Sequence, residues 1–250
     1  MGSTNGTTIL VVCTGSIRRS PAAAAMLLQG TPAVAGLDGS DVAVRSAGVS
    51  ARAGERLDPL VAEQLTRLGV VDRGHVARPL TVGQIESADL ILTAERVHRG
   101  AVVDRVPSAV RKTFTLRELA ALSGTLGAEA LTSSDLPERV GELVALAPRR
   151  RTARLVRNLA SDDLPDLRRP TARAAERLVR EIAEPVEAVL RLLLADPAVC
   201  AGEPEDEAAM ARSAVSGDTL LPAEGVEHRL ARSQEWGKRP RLGRARQPRS

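Results

Sequence analysis

The chain has 250 residues, 43% of them apolar, and a formal net charge of +4. That allows one generous domain with extensions, while two distant cysteines exclude a disulfide framework and no apolar run is long enough to span a bilayer. Phe114 and Trp236 are the only aromatic residues, so the core has to be built from Leu, Val, Ile and Ala. Residues 1–6 read as a disordered N-terminus without a leader pattern, and the expected compartment is the reducing cytoplasm.

From Thr7 a β-branched apolar run predicts a strand over 8–13 that ends in Cys13. Thr14, Gly15, Ser16, Ile17 and Arg18 make a Gly-containing turn. Arg19-Ser20-Pro21 then opens an Ala-rich helix, with Ser20 suited to the N-cap and Pro21 to the first helical position. A loop between a strand and a helix N-terminus points several backbone N–H groups into one concavity, where the helix dipole adds partial positive charge. Such a pocket binds a phosphate dianion and stabilises a thiolate, which makes Cys13 a candidate nucleophile. Arg19 can fork two hydrogen bonds onto phosphate oxygens, a geometry that lysine lacks.

Further strands are expected over 42–46, 88–93 and, more weakly, 112–116, with helices between them. Asp58-Pro59 caps and opens a helix over 59–68 that Gly69 stops. This alternation implies an α/β fold: a small open parallel four-stranded sheet flanked by helices, with the loop after strand 1 at its ligand-binding edge. Residues 123–150 carry Gly, Ser and Pro and read as a peripheral insertion with one short helix at 137–146. A last helix spans about 171–194, with Ala174, Leu178, Ile182, Val186, Val189 and Leu193 on one face and a kink expected at Pro185.

Residues 7–196 thus form the expected domain, and from 197 to 250 the periodic pattern dissolves. An acidic cluster at Glu203, Glu205, Asp206 and Glu207 precedes a basic end from Arg232 to Arg249, read as a disordered tail able to dock an acidic partner. The pI near 9.9 rests almost wholly on arginine, with Lys112 and Lys238 the only lysines, a bias typical of high genomic GC content. No aromatic platform interleaves with those arginines, so a nucleic-acid partner is not expected. The distant cysteines and unclustered histidines and carboxylates make no metal site.

A cysteine near the N-terminus, five residues, an arginine and Ser20-Pro21 resemble the phosphate loop of the low molecular weight protein tyrosine phosphatase family. Ser46-Ala47-Gly48 is similar to its Ser-Ala-Gly turn after strand 2. His75–Leu80, Ala88–Leu92 and Lys112–Glu118 are similar to later segments, in the same order. The resemblance implies a phosphomonoesterase, most simply a protein tyrosine phosphatase, that works through a phosphocysteine on Cys13 without a cofactor. Arg19 would bind phosphate together with the loop residues Thr14, Gly15, Ser16, Ile17 and Arg18, and Ser20 would assist the thiolate. The general acid and base is implied at Asp166, with Asp163 the fallback and Asp162 a weaker candidate.

Several positions depart from the family pattern. Ser16 stands for an asparagine, Arg18 for a frequent second cysteine, Arg52 for a pocket-wall aromatic and Leu167 for a proline after the acid. Glu95 lies in an altered turn after strand 3. His75 reads as a loop hydrogen-bonder, His98 as a helix-surface residue, and neither is expected to serve the chemistry. Two rival functions share the loop: an arsenate reductase, which would need an external thiol here, and a non-catalytic phosphate-binding module.

Overall fold

Four parallel strands form one sheet in the order β2-β1-β3-β4: Thr7–Cys13 (β1), Val42–Gly48 (β2), Leu90–Thr93 (β3) and Thr113–Thr115 (β4). The structure, a computed structural model, describes residues 6–35, 42–126, 130–133, 135–154, 162–167 and 170–194. β1 is an interior strand, with Cys13 opposite Gly48 of β2 and Val12 opposite Thr93 of β3. Its side chains alternate between two cores. Ile9, Val11 and Cys13 face one, while Leu10 and Val12 face the other. A strand buried on both faces reads as a continuous apolar run, which is how it announces itself in the sequence.

Helices cover both faces. Arg19–Ala35 (α1), Leu116–Leu126 (α5) and Ala172–Leu194 (α7) pack on the first core. Val82–Ser87 (α3) and Arg96–Arg105 (α4) pack on the second, followed by a short 3₁₀ turn, Pro107–Arg111. Pro59–Arg67 (α2) starts where the sequence said it would. The Asp58 carboxylate accepts from the Leu60 and Val61 N–H groups at 3.0 and 3.4 Å, and Gly69 turns the chain at φ +76°. α7 runs unbroken through Pro185, which is buried, with Ala175 rather than Ala174 on its buried face.

The segment read as a peripheral insertion is the clearest difference. It holds a 19-residue helix, Leu136–Arg154 (α6), that extends well past the expected end at 146. Leu136, Val140, Leu143 and Ala147 join the first core, so α6 is part of it. Pro148 and the run Arg149–Arg151 make the helix look finished in sequence. It continues because Arg151 has somewhere to go. Its guanidinium reaches Glu118 at 2.6 Å and the Thr113 carbonyl at 2.7 Å, over the face of Phe114. Arg139, buried near the other end, gives hydrogen bonds to the carbonyls of Leu131, Ser133, Leu192 and Leu193, neutralising the end of α7.

No helix among the described residues is long and apolar enough to cross a membrane. Cys200 and the charged segment read as a docking tail lie outside the described residues.

Candidate active site

The loop Thr14–Arg18 leaves the carboxyl end of β1 and enters α1 two residues earlier than the sequence suggested, at Arg19. Ser20 therefore sits inside the first turn and is not the cap. Its hydroxyl instead meets the Cys13 sulfur at 3.0 Å and the Ala47 carbonyl at 3.3 Å. A thiol can donate to the Ser20 oxygen while Ser20 donates to Ala47; a thiolate takes the Ser20 proton for itself. The Ser16 N–H also donates to the sulfur at 3.3 Å. Negative charge on Cys13 thus has two donors and the start of α1 close by.

Two residues hold the loop in shape. Ser16 adopts φ +54°, the left-handed conformation an asparagine would tolerate well, and its buried hydroxyl has no partner. The tie at this position comes instead from His75, whose Nε2–H donates to the Ser16 carbonyl at 2.6 Å while Nδ1 faces the Ser46 hydroxyl at 3.4 Å. The family-like Ser46-Ala47-Gly48 is the end of β2 and not a turn. A Cβ on Gly48 would fall 2.5 Å from the Thr14 carbonyl oxygen and 2.9 Å from the Ser16 nitrogen, so only glycine lets β2 approach the loop this closely.

Arg19 is 3% exposed, and four groups surround its guanidinium. Nη1 is bonded to the Glu95 carboxylate and to the Leu164 carbonyl at 3.3 Å. Nη2 donates to Thr14 Oγ1 at 3.2 Å and lies 3.5 Å from the Asp166 carboxylate. The Nη1 end is therefore committed to the protein, and the Nη2 end is turned toward the loop. Thr14 Oγ1 also meets His98 Nε2 at 2.9 Å. His98 is 1% exposed, not on the surface of its helix, and burial pushes its pKa down, keeping the ring neutral. Glu95 and His98 lie at the start of α4, and neither was expected to belong to the site. The signal was their spacing just after a strand that runs beside β1.

Residues 162–167 cross above this network. The Leu164 N–H is pinned to the Ala94 carbonyl at 2.8 Å, beyond the end of β3. Asp166 is 55% exposed and comes to Arg19, while Asp162 is buried. Asp163 is engaged elsewhere, accepting from the Arg96 N–H at 2.7 Å and the Arg96 guanidinium at 3.1 Å. Burial alone would raise the Asp163 pKa, but the hydrogen bonds and charge of Arg96 together hold it below the usual carboxylate range.

A carboxyl lowered on folding stabilises the fold above its unfolded pKa, about 3.9, and that contribution is lost as pH falls through the folded value. Asp163→Ala should therefore lower Tm at neutral pH, and the gap to wild type should close as melting is followed below about pH 4. A gap unchanged down to about pH 3 would mean that the Arg96 pairing is not its source.

The side chains of Arg18 and Arg52 have partners outside the loop. Arg18 donates to Asp58 Oδ2 at 2.7 Å and to the Leu167 carbonyl at 3.0 Å. Arg52 is almost fully exposed beside Glu55. Phe114, the one Phe, Tyr or Trp among the described residues, is buried under Arg151, so no described benzenoid or indole ring lines the site. No group of three or more potential metal ligands occurs among the described residues.

Residues 8–129 match the family described as low molecular weight phosphotyrosine protein phosphatase. A probable low molecular weight protein-tyrosine-phosphatase of Ralstonia nicotianae is 37% identical over 112 residues, 45% of this chain and 72% of its own. The protein-arginine-phosphatase of Bacillus subtilis is 36% identical over 110 residues, 44% of this chain and 70% of its own. Among solved structures, an arginine phosphatase variant with a phosphorylated serine in place of its active-site cysteine aligns with a TM-score of 0.54 at 25% identity. That alignment covers 77% of this chain and 99% of the other. The family match includes the loop, Glu95 and His98 and stops before Asp166.

Proposed function

The chain belongs to the low molecular weight phosphotyrosine protein phosphatase family, and from that membership and the geometry of its site we propose a cytoplasmic phosphoprotein phosphatase acting through Cys13. One observation carries the reading: the buried Arg19 lies between Thr14 of the cysteine loop and the carboxylate of Asp166. An arginine able to bind an anion and a solvent-exposed carboxyl meet there, beside the loop that follows the thiol.

In the first step the Cys13 sulfur attacks phosphorus in line, forming the S–P bond as the P–O bond to the substrate breaks. Protonated Asp166 gives its proton to the departing oxygen. Arg19 and the loop N–H groups hold the equatorial oxygens as charge redistributes among them. In the second step the Asp166 carboxylate takes a proton from water, whose oxygen attacks phosphorus while the S–P bond breaks. The returning thiolate is received by the Ser16 N–H and the Ser20 hydroxyl. Glu95 and the Leu164 carbonyl keep the guanidinium facing the loop throughout.

Phosphotyrosine is the substrate this reading favours, although a phenol ring would find no described aromatic partner here. The arginine phosphatases among the relatives make phosphoarginine the necessary comparison. The test is phosphate release from p-nitrophenyl phosphate, phosphotyrosine, phosphoserine and phosphoarginine, beside arsenate reduction in the presence of glutathione. Hydrolysis of the aryl substrates is expected. Arsenate reduction without any hydrolysis would replace the reading by the reductase, and phosphate binding without turnover would leave a binding module.

A further inference from the structure

Arg18 is the loop side chain that the phosphate chemistry leaves unused. Its backbone carbonyl accepts the Ala22 N–H at 3.1 Å, within the first turn of α1. Its guanidinium instead joins two segments far away in sequence. Nε donates at 2.7 Å to Asp58, whose second oxygen caps α2, and Nη1 donates at 3.0 Å to the carbonyl of Leu167. Leu167 directly follows Asp166, and its N–H donates to Asp166 Oδ1 at 2.9 Å. Both hydrogen-bonding groups of Leu167 are therefore taken, one by Arg18 and one by the carboxylate beside Arg19.

We propose that Arg18 is a positioning residue for Asp166, a clasp that holds the Leu167 carbonyl and so keeps the carboxyl over the phosphate loop. This deepens the phosphatase reading and rests on it. The need for a clasp is visible in the same segment. Leucine at 167 does not restrict its own φ as a proline would. The contact between Asp166 and Arg19 is 3.5 Å long and half-exposed, which makes it a weak tether. The clasp is better anchored. Asp58 is nearly buried, and its own N–H donates to the Ile17 carbonyl at 2.8 Å, so α2, the phosphate loop and the acid segment meet at Arg18. A small displacement of an acid from its leaving group costs rate steeply, so loss of the clasp should act on proton donation and spare the nucleophile.

The test compares Arg18→Ala and Arg18→Lys with wild type in single-turnover phosphoenzyme formation on phenyl phosphate and p-nitrophenyl phosphate. Amide exchange at Leu167 is measured in parallel. General-acid help amounts to about 10²–10⁴-fold, so Arg18→Ala should lose on the order of 10-fold more on phenyl phosphate than on p-nitrophenyl phosphate. Leu167 should exchange faster, inhibition by inorganic phosphate should hold, and lysine, with one bond restored, should fall between. Equal losses on both substrates, weakened phosphate inhibition or unchanged exchange would overturn the clasp. If wild type hydrolyses neither substrate, the phosphatase reading falls and the exchange result alone decides the clasp. Should Arg18→Ala unfold, Asp58→Asn keeps an oxygen to cap α2 and removes the charge that anchors Arg18, and it should give the same contrast in smaller measure.

Discussion

Cys13→Ser is expected to reduce turnover of p-nitrophenyl phosphate by at least about 10³-fold while phosphate and vanadate still bind. The site divides cleanly between nucleophile and cradle. Sulfur is contacted by the Ser16 N–H and the Ser20 hydroxyl, whereas the loop's shape is held by His75, Gly48 and the tethered Arg19. An oxygen at position 13 leaves that cradle in place. It remains protonated near neutral pH, however, and its described hydrogen-bond partners, the Ser16 N–H and the Ser20 hydroxyl, include no general base, so attack on phosphorus fails. Single-turnover kinetics and phosphate inhibition, measured on the same preparation, separate the two effects. Comparable turnover by wild type and variant would end the phosphocysteine mechanism. Loss of phosphate binding in parallel with turnover would mean that the sulfur is part of the cradle.

The second large effect concerns the proton. Asp166→Ala should slow phosphoenzyme formation far more on phenyl phosphate than on p-nitrophenyl phosphate, because nitrophenolate departs readily without a proton. The contrast should fall within the range of about 10²–10⁴-fold that a positioned acid supplies. It belongs at a pH where the wild-type rate is flat, so that titration of other groups does not intrude. Asp163→Ala should show no such dependence, since its carboxylate is held on Arg96. Equal losses on both substrates would make Asp166 structural. Leaving-group dependence at Asp163 in its place would move the acid three residues upstream.

These expectations draw unequally on sequence and structure. α6 shows how sequence reasoning failed where charge is satisfied at a distance. Pro148 and three arginines look like a helix end until Glu118 and the Thr113 carbonyl are found waiting for Arg151. His98 failed for a related reason. Amid charged residues on α4 it reads as exposed, yet it is buried against Thr14, a contact between residues 84 apart that no local pattern encodes.

By itself the sequence determined the sheet, the position of the loop and the cysteine proposed as nucleophile. Those rest on short-range physics: an apolar run that must be buried on two faces, a turn, and a helix start, all within residues 7–21. Only the tertiary structure decided what surrounds that loop. Glu95 on Arg19, His75 on the Ser16 carbonyl and Arg18 between Asp58 and Leu167 are contacts across 40 to 149 residues. The tertiary structure also put Asp166, rather than Asp163, beside the guanidinium. Each depends on which chain segments the folded sheet brings to its carboxyl edge, and a buried charge takes its partner from whichever segment arrives there.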